Sequence, residues 1–252
     1  MAIGPKGDIA LVANRADGTI SVLTIRGRDV LVVGTVPVGT AADQVSAVAI
    51  TPDGKRALAV KSAANKVALL SIDGEKVTYD KRDLPGGIYP YNIVISPDGK
   101  LALTADGGAG GGSDGSVDTV SVIDLEANPP RVIDRVTVGD APEGLAMSPK
   151  GDLAVVVELR GSNLPKTAFP YHAAGAVTAL KIDGKRVTNA GSLNVGALPE
   201  GVAFGPDGKY LYVANFIDQD LWVLRVDGSM LTDTAQRIKM PGHPASMRSG
   251  PQ

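Results

Sequence analysis

The chain has 252 residues, with 25 Lys and Arg residues, 27 Asp and Glu residues and no cysteine. Charge is nearly balanced and no long Lys/Arg block occurs, so nucleic acid is not an expected partner. The lack of cysteine excludes disulfides, thiolate zinc sites and cysteine nucleophiles. No apolar run is long enough for a membrane span, and the first residues do not form a signal peptide, which leaves the compartment open, cytoplasm included.

A turn motif of the type Pro-Asp-Gly-Lys recurs five times along the chain. Its prolines are 47, 45, 52 and 57 residues apart, the length of a four-stranded β-propeller blade rather than of a helical repeat. We therefore predict an all-β chain that forms a single β-propeller domain over residues 1–252, with five four-stranded blades at about 1–42, 43–87, 88–140, 141–197 and 198–242. The prolines are Pro5, Pro52, Pro97, Pro149 and Pro206.

Alternating apolar runs predict the strands within each blade. In chain order, third strands are expected at 19–25, 66–72, 119–125, 176–182 and 221–226. The fifth blade is the cleanest copy, with an innermost strand at 200–204, a second strand at 210–215 and a polar edge strand at about 231–240.

The two ends of the chain leave two hypotheses for the ring. Aligned on the repeated proline, the chain begins within an innermost strand, and residues 244–251 match residues 199–206. In the first hypothesis, residues 243–250 form a closing strand that gives the first blade its innermost strand in a five-bladed ring. In the second hypothesis, N-terminal blades of a larger ring are absent. The second hypothesis is favoured, because a natural chain rarely begins so close to a turn.

Three segments, 96–105, 118–125 and 206–215, resemble the YVTN-repeat, lactonase-like β-propeller family. The last of them reads Pro-Asp-Gly-Lys-Tyr-Leu-Tyr-Val-Ala-Asn, and the resemblance extends over the whole chain. It implies a ring that usually has seven blades and a periplasmic or extracellular location. Some relatives hydrolyse sugar lactones and others bind metals or macromolecules, so the resemblance specifies fold more narrowly than function.

Two sets of equivalent positions are expected on one face of the propeller, around the mouth of the central channel. One set follows the proline position before each innermost strand, and the other lies nine residues after each turn proline. Their chemistry varies from blade to blade, which indicates a differentiated surface. The first set is Ser46, Tyr91, Glu143, Glu200 and Ala245, and the second is Asn14, Lys61, Asp106, Glu158 and Asn215.

Glu143 and Glu200 share the context Pro-Glu-Gly in adjacent blades, so they are expected to converge near the channel axis. Oxygen ligands suit a divalent cation, which could be calcium, magnesium, manganese or zinc, with Asp106, Glu158 or Asn215 completing the set. The resemblance supports this use of Glu, Asn and Asp, as in gluconolactonase-like propellers. The alternative carries more weight, namely that each Glu caps a strand and points to solvent.

The chain has two histidines, His172 in the longest loop and His243 before the last innermost-strand segment. A lactonase would use one of them as a general base, with Arg160 or Lys61 stabilising the developing oxyanion. No orienting third group is evident, so ordinary loop histidines are the favoured alternative. Tyr89, Tyr91 and Tyr171 could form an aromatic rim for a sugar or a peptide. The candidate ligand-binding residues are Tyr91, Lys61, Asn14 and Tyr171.

Residues 107–115 form a glycine-rich run, which we expect to be an inter-strand loop because no Lys-Ser/Thr pair or helix follows it.

Three functions remain open. The leading hypothesis is a propeller that binds a small molecule or a protein through the loops at the channel mouth. The alternatives are a metal-assisted, lactonase-like hydrolase acting on a sugar lactone and a blade module of a larger redox or surface assembly.

Overall fold

The computed structural model describes residues 1–109 and 112–248. Within them, β-strands β1 to β20 form five four-stranded antiparallel sheets, and each sheet is built from four strands that follow one another in the chain. Such meanders, repeated along the chain and packed side by side, are the blades of a β-propeller. The predicted all-β propeller fold is confirmed.

Each blade runs from an innermost strand to an exposed outer strand. Blade 1 contains β1 (Ala2–Ile3), β2 (Ile9–Asn14), β3 (Thr19–Arg26) and β4 (Asp29–Pro37), and a short 3-10 helix, Ala41–Asp43, leads into blade 2. Blade 2 contains β5 (Val45–Ile50), β6 (Arg56–Lys61), β7 (Lys66–Asp73) and β8 (Lys76–Pro85), and blade 3 contains β9 (Pro90–Ile95), β10 (Leu101–Asp106), β11 (Thr119–Asp124) and β12 (Arg131–Thr137). Blade 4 contains β13 (Pro142–Met147), β14 (Leu153–Glu158), β15 (Ala176–Asp183) and β16 (Arg186–Asn194), and blade 5 contains β17 (Pro199–Phe204), β18 (Tyr210–Asn215), β19 (Asp220–Asp227) and β20 (Met230–Lys239).

The repeated Pro-x-Gly motif forms the turn from the first to the second strand of each blade. In blade 2, the amide of Gly54 donates a hydrogen bond to the carbonyl of Thr51 at 2.8 Å, and Gly54 has a φ of 70°, which glycine adopts readily. A Cβ atom on Gly54 would lie 3.3 Å from Cγ of Pro5, in the preceding blade. The motif therefore also sets the contact between consecutive blades. The equivalent pairs are Gly99 with Pro52, Gly151 with Pro97, and Gly208 with Pro149.

The hydrophobic core lies between consecutive blades. Leu11 and Ile20 of blade 1 pack in one cluster with Val48 of blade 2, and all three side chains are fully buried. Val157 of blade 4 and Val213 of blade 5 belong to a similar cluster. Small branched side chains allow the faces of the sheets to approach closely, which explains how so few aromatic residues can fill this core.

The C-terminal segment does not form the expected closing strand in the part of the chain that the structure describes. Residues 243–248 form no strand there, and residues 249 and 250 lie outside the described residues, as do residues 110 and 111 of the glycine-rich run. Strand β1 already covers the inner edge of β2, with Ala2 paired to Leu11 and Ile3 to Ala10. The segment passes instead along β17, where a Cβ atom on Gly201 would lie 2.7 Å from the amide nitrogen of Met247. No helix in the described ranges is long and apolar enough to cross a membrane.

Candidate functional site

One face of the propeller, which we call the loop face, carries the loops that precede innermost strands and those between second and third strands. The residue directly before each innermost strand of blades 2 to 5 is left-handed, with φ between 49° and 53°. This conformation costs a non-glycine residue about 1 kcal/mol. Each carbonyl accepts a hydrogen bond, at 2.9 or 3.1 Å, from the first residue after the second strand, which fixes how the chain enters the channel. The four residues are Gln44, Tyr89, Ala141 and Leu198.

The structure brings three residues of the first predicted set together at this mouth of the channel, Tyr91, Glu143 and Glu200. The innermost strands that carry the two glutamates approach so closely that a Cβ atom on Gly144 would overlap the carbonyl oxygen of Glu200. On the other side, Ser46 Oγ donates a hydrogen bond of 2.8 Å to the carbonyl oxygen of Tyr91. Residues at the same position of successive repeats therefore lie next to one another around the channel axis.

The charge of Glu200 acts on the Glu143 carboxyl group. The pKa of Glu143 is raised to about 8, first by burial and then by the negative charge of Glu200, while the Arg15 guanidinium opposes the shift. Burial also raises the pKa of Glu200. The pKa of Tyr91 is raised to about 12 by burial and then by the charges of Glu143 and Glu200. At neutral pH, Glu143 therefore carries a proton.

Glu143 is 9% exposed and Glu200 is half-buried, and neither carboxyl group receives a hydrogen bond from another residue in 1–109 or 112–248. Neither group is among the fully buried side-chain atoms without a partner in these ranges, so the carboxyl oxygens reach solvent in the channel. The two carboxyl groups at the mouth are therefore free to bind a molecule from solution.

Sequence reasoning missed Arg15 and Gln44, which form a cluster at this mouth with Tyr89, one of the tyrosines expected in the aromatic rim. Arg15 Nη2 donates hydrogen bonds of 2.6 Å to both Gln44 Oε1 and the Tyr89 hydroxyl oxygen. The Tyr89 hydroxyl in turn donates to Gln44 Oε1 at 2.7 Å. Arg15 follows the predicted Asn14, and Gln44 lies two residues before the predicted Ser46, so a search two residues wider would have found both.

The second predicted set has a different role. Its members form hydrogen bonds or ion pairs with residues in other strands of their own blade. Asp106 is 1% exposed and accepts hydrogen bonds from Thr104 at 2.8 Å, Thr119 at 3.0 Å and Ser121 at 2.6 Å. Burial raises the pKa of Asp106 to about 6, and the three hydroxyl groups oppose the shift. Glu158 likewise accepts a hydrogen bond from Thr178 in the neighbouring strand.

The remaining members of this set also bond within their own sheet. Asn14 donates hydrogen bonds of 2.9 Å to both Thr19 and Ser21, and Asn215 donates one of 3.0 Å to Asp220. Lys61 Nζ lies 3.1 Å from a carboxylate oxygen of Asp83 and 3.8 Å from one of Asp43. The change of chemistry from blade to blade at this position reflects different partners in the third or fourth strand.

The divalent cation proposed from sequence finds no complete ligand set in the described ranges, where no three His, Cys, Asp or Glu side chains are grouped to hold a metal ion. Glu143 and Glu200 supply two carboxyl groups, while Asp106, Glu158 and Asn215 are engaged within their sheets. The residues present therefore do not fit a metal site built by the protein alone, since calcium takes six to eight oxygen ligands.

The two histidines and the long loop are not joined to the carboxyl pair by any hydrogen bond among the described residues. His172 is exposed, and its Nδ1 lies 3.2 Å from the carbonyl oxygen of Pro170. The ring of His243 stacks on Phe216 at 4.6 Å, and its Nδ1 lies 2.7 Å from the Phe216 carbonyl oxygen. Arg160 donates a hydrogen bond of 2.8 Å to Asn194 Oδ1. Tyr171 is half-buried in the long loop.

No family model matches the chain, and no curated protein does. Solved structures do match it over nearly its full length. A chain of hydrazine synthase from Kuenenia stuttgartiensis is 19% identical, with a TM-score of 0.75, over 99% of this chain and 70% of that one. A protein of Bacteroides uniformis, provisionally named 6-phosphogluconolactonase, is 19% identical, with a TM-score of 0.74, over 95% of this chain and 70% of that one.

The periplasmic gluconolactonase PpgL of Pseudomonas aeruginosa is also similar, at 17% identity and a TM-score of 0.54, over 98% of this chain and 86% of that one. The five described blades match the fold of lactonase-like, seven-bladed β-propellers, as the sequence resemblance implied. At these identities the likeness defines the fold alone. The function has to be argued from the site.

Proposed function

We propose that this protein is a ligand-binding β-propeller whose site is the mouth of the channel on the loop face, formed by Arg15, Tyr91, Glu143 and Glu200. The supporting observation is the Glu143 carboxyl group, which is 9% exposed and receives no hydrogen bond from the described residues. Burial and the charge of Glu200 raise the pKa of this carboxyl group, which reaches solvent at the channel mouth. Titratable groups with shifted pKa values in such clefts are typical of functional sites.

The chemistry of the mouth suits a neutral molecule rich in hydroxyl groups, such as a sugar or a sugar lactone. With a pKa of about 8, Glu143 is protonated at pH 7 and both donates and accepts a hydrogen bond. The Tyr91 hydroxyl, whose pKa is about 12, also keeps its proton and can do the same. Alternating donors and acceptors around a narrow mouth match the hydroxyl groups of a sugar ring better than they match a highly charged ligand.

The test is calorimetric titration of a panel of neutral sugars and sugar lactones into the wild-type protein and into Glu143→Leu and Glu143→Gln. Leucine keeps the volume and removes the hydrogen-bonding groups, so we expect it to raise the free energy of unfolding while binding is lost. Glutamine resembles the protonated carboxyl group and is expected to retain binding.

Glu158→Leu is the matched control, because Glu158 is also a buried glutamate but is bonded to Thr178. We expect it to lower stability and to leave affinity unchanged. Ligand binding that is the same in the wild-type protein and in Glu143→Leu would overturn the proposal.

A lactonase-like hydrolase is the second candidate, favoured by the two carboxyl groups with unequal environments and by the fold. In this hydrolysis, Glu200 accepts a proton from water, the resulting hydroxide attacks the lactone carbonyl carbon, and Glu143 donates its proton to the ring oxygen as the C–O bond breaks. Proton release on a lactone panel tests it, with divalent cations and with chelator. Because glutamine cannot donate that proton, Glu143→Gln should bind lactones without hydrolysing them if this candidate is correct.

We also propose a periplasmic location, on the likeness to the periplasmic gluconolactonase of Pseudomonas aeruginosa. Cell fractionation of the native source with an antibody against this chain tests it, and recovery in the cytoplasmic fraction would contradict it.

A further inference from the structure

The opposite face of the propeller, which we call the turn face, carries the Pro-x-Gly turns and holds a cavity of about 360 Å3 on the channel axis. We propose that this cavity binds a small amphipathic anion, an aliphatic carboxylate whose charged group is held by Arg248. The proposed site does not depend on the function proposed for the loop face, because neither Glu143 nor Glu200 lines this cavity.

The apolar character of the cavity comes from the residues that follow the polar positions in each innermost strand. In β9, the strand that carries Tyr91, the cavity is lined by Ile93, Val94 and Ile95. The channel thus changes from polar at the loop face to aliphatic at the turn face. The corresponding cavity-lining residues of blades 2 and 4 are Val48, Ile50, Leu145 and Met147.

Arg248 is the one charged side chain that lines the cavity in the described part of the chain. Its Nη2 donates a hydrogen bond of 2.7 Å to Asn92 Oδ1, and within residues 1–109 and 112–248 it forms no ion pair with a carboxylate. The side chain reaches solvent, while the surrounding protein lowers the pKa of its guanidinium. An arginine that reaches solvent and also lines an apolar cavity is complementary to an anion with an apolar body.

The size of the cavity limits the ligand. A volume of about 360 Å3 falls at the lower end of the range for small-molecule sites, which are mostly apolar with a few polar groups that fix orientation. Because a water molecule takes about 30 Å3 of liquid volume, a ligand of roughly ten non-hydrogen atoms fits. Octanoate has this size and one carboxylate, and that group can form a two-point contact with a guanidinium.

The experiment is calorimetric titration of octanoate into the whole protein, compared with octanol and with octyltrimethylammonium. We expect octanoate to bind, octanol to bind roughly tenfold more weakly and the cation not to bind. In Arg248→Gln the preference for octanoate over octanol should disappear. Met147→Trp, which fills the cavity from blade 4, should abolish binding of both ligands.

Arg225→Gln is the matched control, because Arg225 is an exposed arginine on the third strand of blade 5 that does not line the cavity. Glu143→Leu is the second control, and it separates this site from the one on the loop face. Both variants should bind octanoate as the wild-type protein does. Failure of octanoate to bind, equal binding of octanol, or unchanged selectivity in Arg248→Gln would each overturn the inference.

Discussion

Gly144 of blade 4 lies directly against the carbonyl oxygen of Glu200 of blade 5, with no room for a side chain between them. This contact sets the distance between the two innermost strands that carry the carboxyl pair. Replacement by alanine would place a methyl group on a backbone oxygen, which cannot rotate away. We expect Gly144→Ala to lower the free energy of unfolding by roughly 1–3 kcal/mol, measured by urea unfolding, and to weaken ligand binding at the loop face.

Gly34→Ala is a suitable control for this variant. A Cβ atom on Gly34, in the outer strand of blade 1, would meet nothing within 4 Å. We expect stability and affinity close to those of the wild-type protein, or slightly higher stability, since alanine has less conformational freedom to lose. Equal effects of the two substitutions would contradict the role given to the close approach.

Glu143 should make stability depend on pH. Its pKa is raised from 4.5 to about 8, so the folded protein keeps a proton that the unfolded chain loses as pH rises through this interval. The free energy of unfolding therefore falls between about pH 4.5 and 8. In Glu143→Gln this loss is absent, and the stability advantage of the variant should grow by a few kcal/mol across the interval, since one pKa unit corresponds to about 1.4 kcal/mol.

Urea unfolding of both proteins at pH 5, 6, 7 and 8 measures this difference. Other carboxyl groups with raised pKa values, such as Asp106, are common to both proteins and cancel in the comparison. A difference in unfolding free energy that stays constant over the whole range would mean that Glu143 titrates normally.

Arg15 should tune the Glu143 carboxyl group without supporting the fold. Its positive charge lowers the pKa of Glu143, while its own side chain is exposed and bonded to Gln44 and Tyr89. In Arg15→Met we expect the pKa of Glu143 to rise, measured by carbon-13 NMR of labelled glutamate, with less than about 1 kcal/mol lost in stability. An unchanged Glu143 titration would show that the guanidinium does not act on this carboxyl group.

Unlike Arg15, Asp106 should contribute to the stability of the fold and not to ligand affinity at the channel mouth. Its carboxylate joins three hydroxyl groups in blade 3, and its removal in Asp106→Ala leaves them without this partner. We expect the free energy of unfolding to fall by roughly 2–4 kcal/mol in urea, with ligand affinity at the loop face preserved. Loss of affinity in a variant that is still folded would assign Asp106 to the site.

The strands were predictable because each turn carries its own chemical signal. Third strands expected at 66–72 and 119–125, for example, are found at Lys66–Asp73 and Thr119–Asp124. The Pro-x-Gly turns and the apolar alternation act locally, within a few residues, so a single sequence contains that information. The path of residues 243–248 along β17 could not be derived in this way, because it depends on contacts with a distant part of the chain.

The site was predictable only in part, for a similar reason. The shared Pro-Glu-Gly context placed Glu143 and Glu200 at equivalent points of adjacent blades, and the structure brings these points together. Asp106 also occupies a position that recurs in every blade, that of the second set, but it has hydroxyl partners in the next strand. Residue type and spacing do not distinguish a carboxyl group that is already bonded from one that is free, since the difference lies in cross-strand pairing.

The contact between each turn glycine and the proline of the preceding blade, as in Gly99 with Pro52, is heterologous, because it joins two different surfaces of the same unit. A contact of this type does not limit how many units can follow one another, and only the rotation between successive units determines where a circle closes. Duplication of one gene segment that encodes a blade would thus produce a compatible junction at both ends. Growth and shortening of such rings in evolution therefore require no new interface.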